Sequence, residues 1–288
     1  MKILGTGLDG LVGSRIVELL SDKYQFENLS LATGVDITDK ISVLERIKNS
    51  DAQIVLHLAA KTDVDGCEKD KSLGQEGQAW KINVEGTRNV ADACLNSNKK
   101  LIYISTAFVF DGTKEAYSED DVPNPLGWYA KTKYEGEKIV QVLKTPWIIA
   151  RIDSPYRAVF EKLDFARAIL KRLQEGLPVA AVFDHILTPT FIDDIALAIN
   201  TLITNDSQGI FHVVGSQNLT PFDASIMIAK EFGLDLTRIT KTTREEFFKN
   251  RAPRSFQLAL KNDKITKLGV RMRTFEEGLR EIKRQLSS

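Results

Sequence analysis

Cysteine, histidine and proline are scarce in this 288-residue chain, with 2, 3 and 8 copies, and neither sign of charge dominates, since 39 Lys and Arg face 39 Asp and Glu. The two cysteines, Cys67 and Cys94, have no second Cys or His at ligand spacing. That excludes a disulfide framework and a zinc centre; no metal is expected, and both thiols read as reduced in a cytoplasmic protein. No apolar run approaches the ~20 residues that span a bilayer, and the opening MKILGTG lacks the features of a signal peptide, so neither membrane nor secretion is expected. Balanced charge argues against nucleic acid as the main partner. The balance hides one asymmetry: residues 235–288 hold 14 basic and 7 acidic side chains. Such a surplus is either a solvated helical face or the wall of a pocket for an anionic ligand. What the chain does have, 43% hydrophobic and 27% charged residues, is the composition of a globular protein with one large or two modest domains.

Short β-branched runs alternate with helical patterns through the first 150 residues. Strand candidates lie at 2–4, 54–58, 101–105 and 147–152, apolar nearly throughout, as parallel strands covered on both faces require. Between them Ile41, Leu44 and Ile47, then Val84, Thr87, Ala91 and Cys94, recur at helical spacing. Right-handed crossovers make this an α/β fold with a doubly wound, Rossmann-type parallel sheet, whose ligands sit at the carboxyl ends of the strands. After residue 150 the rhythm loosens, with helices expected near 159–173 and 192–203, a third opening at Pro221, and a strand at 211–214. We therefore expect a dinucleotide-binding domain over 1–150 and a smaller substrate-binding lobe over 151–288, with chain crossing between them.

Directly after the first strand comes Gly5-Thr-Gly7-Leu-Asp-Gly10-Leu11-Val12-Gly13, opening a helix in which Ile16, Leu19 and Leu20 share a face. A glycine turn there lets backbone approach a diphosphate, and the unpaired N–H groups of the helix start favour its charge. Where an acidic residue would accept the ribose 2′-hydroxyl the chain has Leu31-Ala32-Thr33-Gly34, so NAD and NADP both remain open, with Arg15 in reach of a 2′-phosphate or simply solvated. Asp36 and Asp39 divide two roles, adenine neighbour and cap of the next helix. His57, without a second ligand nearby, reads as a packed strand residue.

Tyr129 and Lys133 are four residues apart at the start of a helical pattern and share one face. An ammonium a few ångströms from a phenol favours the phenolate and brings the hydroxyl toward useful acid/base chemistry. The strand at 101–105 leads into Ser105-Thr106, supplying a hydroxyl at the sheet edge.

Glycine loop, Thr106, Tyr129 and Lys133 in this order resemble the extended short-chain dehydrogenase/reductase superfamily over nearly the whole chain. The closer resemblance is to the dTDP-4-dehydrorhamnose reductases, carried by Ala59-Ala-Lys-Thr-Asp-Val-Asp65, Asn83-Val-Glu-Gly-Thr87, Ser105-Thr-Ala-Phe-Val-Phe-Asp-Gly112, Tyr129-Ala-Lys-Thr-Lys-Tyr-Glu-Gly136 and Thr188-Pro-Thr-Phe-Ile-Asp-Asp194. The resemblance implies reduction of a 4-keto nucleotide-sugar by NAD(P)H, in a protein that can form a homodimer. Tyr129 would be the proton donor, Thr106 the hydrogen-bonding partner of the reacting oxygen, and Lys133 the holder of the ribose. It also implies a cofactor site of Gly7, Gly10, Leu11, Val12, Gly13, Asp36, Ile37, Leu58, Ala59, Ala60 and Lys61, and substrate contacts from Thr106, Ala107, Arg251 and Arg254. Ala107 replaces the acid usual in these reductases, which keeps a sugar-nucleotide epimerase open as an alternative. A non-catalytic NAD(P)-binding regulatory subunit is the other.

Overall fold

Runs too continuously apolar for a half-exposed sheet end where both faces are covered. The computed structural model describes residues 1–287. Its centre is a six-stranded sheet of β1 (Lys2–Thr6), β2 (Gln25–Leu29), β3 (Ile54–His57), β4 (Lys100–Thr106), β5 (Trp147–Ile152) and β6 (Gly209–His212), ordered β2-β1-β3-β4-β5-β6 with every pair parallel. Every residue of β3 and β4 is buried. Helices α1 (Leu11–Leu20), α2 (Lys40–Asn49), α3 (Thr87–Asn96) and α4 (Trp128–Gln141) alternate with the strands; α5 (Phe165–Gln174), α6 (Ile192–Thr204), α7 (Pro221–Phe232) and α8 (Phe275–Leu286) follow. Among the described residues, no helix is long and apolar enough to cross a membrane.

One face of the sheet packs Ile16 and Leu20 of α1 with Ile195, Ile199 and Leu202 of α6. The other packs Val43 and Ile47 of α2 with Val90 and Cys94 of α3 and Val140 of α4. Both cysteines are free and buried. A third core, built on Tyr156, Leu170, Phe191, Ile228, Phe275 and Leu279, joins α5, α7 and α8 in the C-terminal lobe. Helix α6 and strand β6 thus come from beyond residue 150 yet complete the first layer. From β1 the chain moves out to β2, then back to β3 on the other side, so strand order reverses between β1 and β3 and a crevice opens at their carboxyl ends.

Strand β2 is missing from the sequence reading, whose bounds for β1, β3 and β4 are off by one or two residues, and two later elements also start elsewhere. The helix expected near 159–173 starts only at Phe165, because the Asp164 carboxylate accepts the Arg167 N–H (2.9 Å) and Nε (2.7 Å) and fixes the first turn there. Arg157 before it donates to Glu18 of α1 (2.8 Å), holding the preceding loop against the first domain. The strand expected at 211–214 is Gly209–His212, set by pairing with Ile148–Arg151 of β5.

Beneath the carboxyl edge, Arg151 of β5 donates from Nε (2.9 Å) and Nη2 (2.7 Å) to Glu137 of α4, which also accepts from Ser105 Oγ (2.6 Å). Both charged side chains are essentially inaccessible, so removing one strands the other. Arg151→Met should cost about 3–5 kcal/mol in urea unfolding; Glu137→Gln together with Arg151→Met should recover part of that loss.

Candidate active site

The glycine loop is shaped by contact rather than flexibility. Gly7 has φ +69°, and a Cβ there would lie 2.9 Å from the Ala59 nitrogen at the end of β3; one on Gly13 would lie 2.6 Å from the Gly7 carbonyl oxygen. Only hydrogen fits at either position. Gly10 caps α1 without a side-chain partner for its first N–H groups, leaving those of Leu11, Val12 and Gly13 at the crevice. The residues fit a dinucleotide diphosphate: a close backbone approach ends on an open, uncapped helix start.

The crevice is a cleft of about 660 Å³, within the size range of small-molecule sites. It is lined by the loop (Gly7, Gly10, Leu11, Val12, Gly13), by Asp36 and Ile37 after β2, by Leu58, Ala59 and Ala60 after β3, and by Thr106, Tyr129 and Lys133 at its other end. Asp36 accepts from the Thr38 N–H (2.9 Å), while Asp39 accepts from Ile41 and Ser42 as the cap of α2, the capping role that the sequence suggested.

Several expected site residues lie elsewhere. Lys61 is held away from the cleft, its N–H on Asn83 Oδ1 (2.7 Å) and its ammonium 3.4 Å from Asp70. Ala107 is wholly buried in the turn that Thr106 caps, packed among apolar residues including Phe110 and Leu258, and does not line the cleft. Arg251 is exposed, its guanidinium over the Phe247 ring. Arg254 donates to Asp65 (3.0 Å) and borders a small hollow shared with Phe108 and Tyr129, beside the cleft rather than in it. Arg15 is clamped by Asp193 and Glu18.

Thr106 Oγ1 accepts the Phe108 N–H (3.2 Å), and Phe108 meets the Tyr129 ring edge-on at 6.1 Å between centroids. Lys133 Nζ donates to the Ile104 carbonyl (2.8 Å) and lies 4.1 Å from the Tyr103 ring centre. Burial governs both titrations. It raises the Tyr129 phenol, with Thr106 pulling the other way, and lowers Lys133 to about 7 against the opposing pull of Glu137. In this state burial dominates the Tyr129 phenol and keeps it protonated.

Sequence reading missed Asp153, Ser154 and Pro155, which also line the cleft. Asp153 is buried, accepts the Thr188 N–H (2.6 Å) and the Ser154 hydroxyl (3.2 Å), and is pushed up to about 7 by burial. Ser154 has φ +40°, an uncommon value for a residue with a side chain. The available signal was an acid placed directly after a strand apolar at all but Arg151, at the edge where parallel sheets bind ligands.

The profile of the RmlD substrate binding domain matches residues 1–288. The chain belongs to that family. Among solved structures similar to this RmlD-family chain, a dTDP-4-dehydrorhamnose reductase from Clostridium acetobutylicum is 30% identical, with a TM-score of 0.90 and 100% of both chains covered. A dTDP-4-dehydrorhamnose reductase from Bacillus anthracis, solved in complex with NADP, is 28% identical, with a TM-score of 0.90 and 99% of each chain covered. A curated relative, the beta subunit of methionine adenosyltransferase 2 from Bos taurus, is 27% identical, covering 97% of this chain and 86% of its own.

Asp153 makes folding stability depend on pH in a defined sense. Its folded pKa of about 7 lies above the ordinary carboxyl value, so the native state binds the extra proton and stability falls as pH rises from about 4 to 7. Asp153→Asn keeps an acceptor for Thr188 without the charge. It should raise the melting temperature at pH 8, by the equivalent of about 2 kcal/mol or more, and leave it nearly unchanged at pH 4. Thermal unfolding at the two pH values checks this.

Proposed function

We propose that the chain is an NAD(P)H-dependent reductase of a 4-keto nucleotide-sugar, of the dTDP-4-dehydrorhamnose reductase type. The observation that carries the reading is convergence: the glycine cradle and the Thr106, Tyr129 and Lys133 side chains, separated by about a hundred residues of sequence, line one cleft. A bound reduced nicotinamide supplies the hydride. The hydride would add to the carbonyl carbon, and the oxygen on that carbon takes up the π pair and develops the charge of an alkoxide, a far stronger base than a phenolate, so a phenol kept neutral by burial still transfers its proton downhill. Tyr129 gives that proton from its hydroxyl. Thr106 Oγ1, at the end of β4, orients the same oxygen by hydrogen bonding.

Lys133 is held by the Ile104 carbonyl, and Glu137, one helical turn on, favours its protonated form. Its ammonium stabilises the phenolate left after transfer and holds ribose hydroxyls. Arg254, bordering the hollow next to Tyr129, is the cation placed to meet the anionic part of a nucleotide-sugar. The division into a cofactor-binding domain over 1–150 and a substrate lobe over 151–288 belongs to the same proposal, with α6 and β6 returning to the first layer.

Incubation of pure protein with NADH or NADPH and a 4-keto-6-deoxy nucleotide-sugar should oxidise the nicotinamide in stoichiometric amount. Epimerised sugar with the nicotinamide unconsumed would point to an epimerase, and binding with neither outcome to a regulatory subunit. Tyr129→Phe should lower kcat by about 10²–10⁴-fold with dinucleotide affinity nearly intact; full activity in that variant removes Tyr129 from the mechanism.

A further inference from the structure

A dinucleotide laid across this topology presents its ribose 2′-position beyond the end of β2. That position carries either a hydroxyl or a phosphate, the latter bringing roughly −1.5 to −2 charge near pH 7. Strand β2 ends at Leu29, and the cleft wall there is Ser30, Leu31 and Ala32. Its polar groups are already engaged with one another. The Ser30 N–H donates to Thr33 Oγ1 (2.9 Å), and the Ser30 hydroxyl accepts the Thr33 N–H and the Asn28 amide (3.3 Å). Asn28 Oδ1 in turn accepts the Leu8 N–H (3.1 Å), tying this wall to the glycine loop.

Among the described residues, no cation lines the cleft at this end. The charged residues among those lining the cleft are Asp9, Asp36, Asp153 and Lys133, and the single ammonium is fixed on the Ile104 carbonyl at the Tyr129 end. Arg15, the one cation of α1, is held in a two-pronged grip by Asp193 (2.7 Å from both Nε and Nη2), while Nη1 donates to Glu18 (2.9 Å). Releasing it to a phosphate would break three charge-assisted bonds and leave a half-buried carboxylate unpaired.

We infer that the cleft selects the dinucleotide with a free ribose 2′-hydroxyl, NADH over NADPH, because the wall after β2 offers a phosphate no cation and the arginine of α1 is committed elsewhere. The inference rests on the dinucleotide reading of the cleft and deepens it. Leu31 is the position that decides: its side chain lies on the cleft wall, is 77% exposed and belongs to no core cluster, so a cation there disturbs no packing.

Isothermal titration of the purified chain with NADH and with NADPH tests this without turnover. The wild type should bind NADH about tenfold or more tightly than NADPH, and Leu31→Arg should tighten NADPH about tenfold while holding NADH within about twofold. Equal or tighter binding of NADPH by the wild type overturns the inference and leaves the dinucleotide site standing. Binding of neither overturns both. A Leu31→Arg protein with unchanged melting temperature that still disfavours NADPH also overturns it, since the missing cation would then not be the cause.

Discussion

A buried chain of hydrogen bonds sets the shape of the cleft on which the chemistry depends. Thr6, last residue of β1, accepts the Ala59 N–H (3.2 Å) and donates to His57 Nδ1 (2.6 Å); His57 Nε2 meets Thr87 Oγ1 (3.0 Å), which donates to the Asn83 carbonyl (2.7 Å). The Asn83 amide donates to the Lys61 carbonyl (3.1 Å) and to Thr132 Oγ1 (3.0 Å), and Thr132 donates to the Tyr129 carbonyl (2.8 Å). Each donor has an acceptor only if His57 is neutral with its proton on Nε2, which agrees with a pKa lowered to about 3 by burial and by the Lys133 charge. The ends of β1 and β3 and the start of α4 are thereby held in one register. In a low-dielectric interior such a network is costly to leave half-made, so it fixes one arrangement of the cleft walls.

The same dryness sets the electrostatics. Tyr129, Lys133 and Asp153 are all pushed toward their uncharged forms, the last two to about 7. A cleft whose titratable groups are near neutrality when empty responds strongly to a charge brought into it, because little solvent screens the new field.

Much of this was legible in the residues and some could not have been. Continuous apolar runs mark β1, β3, β4 and β5 but not β2, whose Gln25, Glu27 and Asn28 break the pattern, while the helix bearing Tyr129 and Lys133 follows from spacing, because period 3.6 decides which residues share a face. Spacing does not decide partners. Arg15 is a surface cation by its helix position, and only the fold brings Asp193 to it from 178 residues away. Lys61 sits in a stretch that resembles a cofactor-binding segment, yet Asn83 and Asp70 turn it aside. Ala107 stands where the resembled reductases carry an acid, whereas its burial depends on Leu258 and Leu260 arriving from the far end of the chain.

Those long-range partners give the second half of the chain a structural part in the first. Asp193 and Asp194 look from sequence like acids placed to complement the start of α6. In the fold they point in different directions: Asp193 pins Arg15 of α1, and Asp194 accepts the Arg273 guanidinium and the Arg273 N–H (2.7 Å) just ahead of α8. Gln285 of α8 also donates to Asp193 (2.9 Å). Arg157 closes the loop by reaching Ser14 (2.9 Å) and Glu18 on α1. The helix whose open start faces the cleft is thus gripped along its length by residues of the second half. Because these bonds are partly buried and interlinked, they restrain α1 more firmly than isolated surface pairs would, and the second half of the chain fixes where the first half presents its N–H groups.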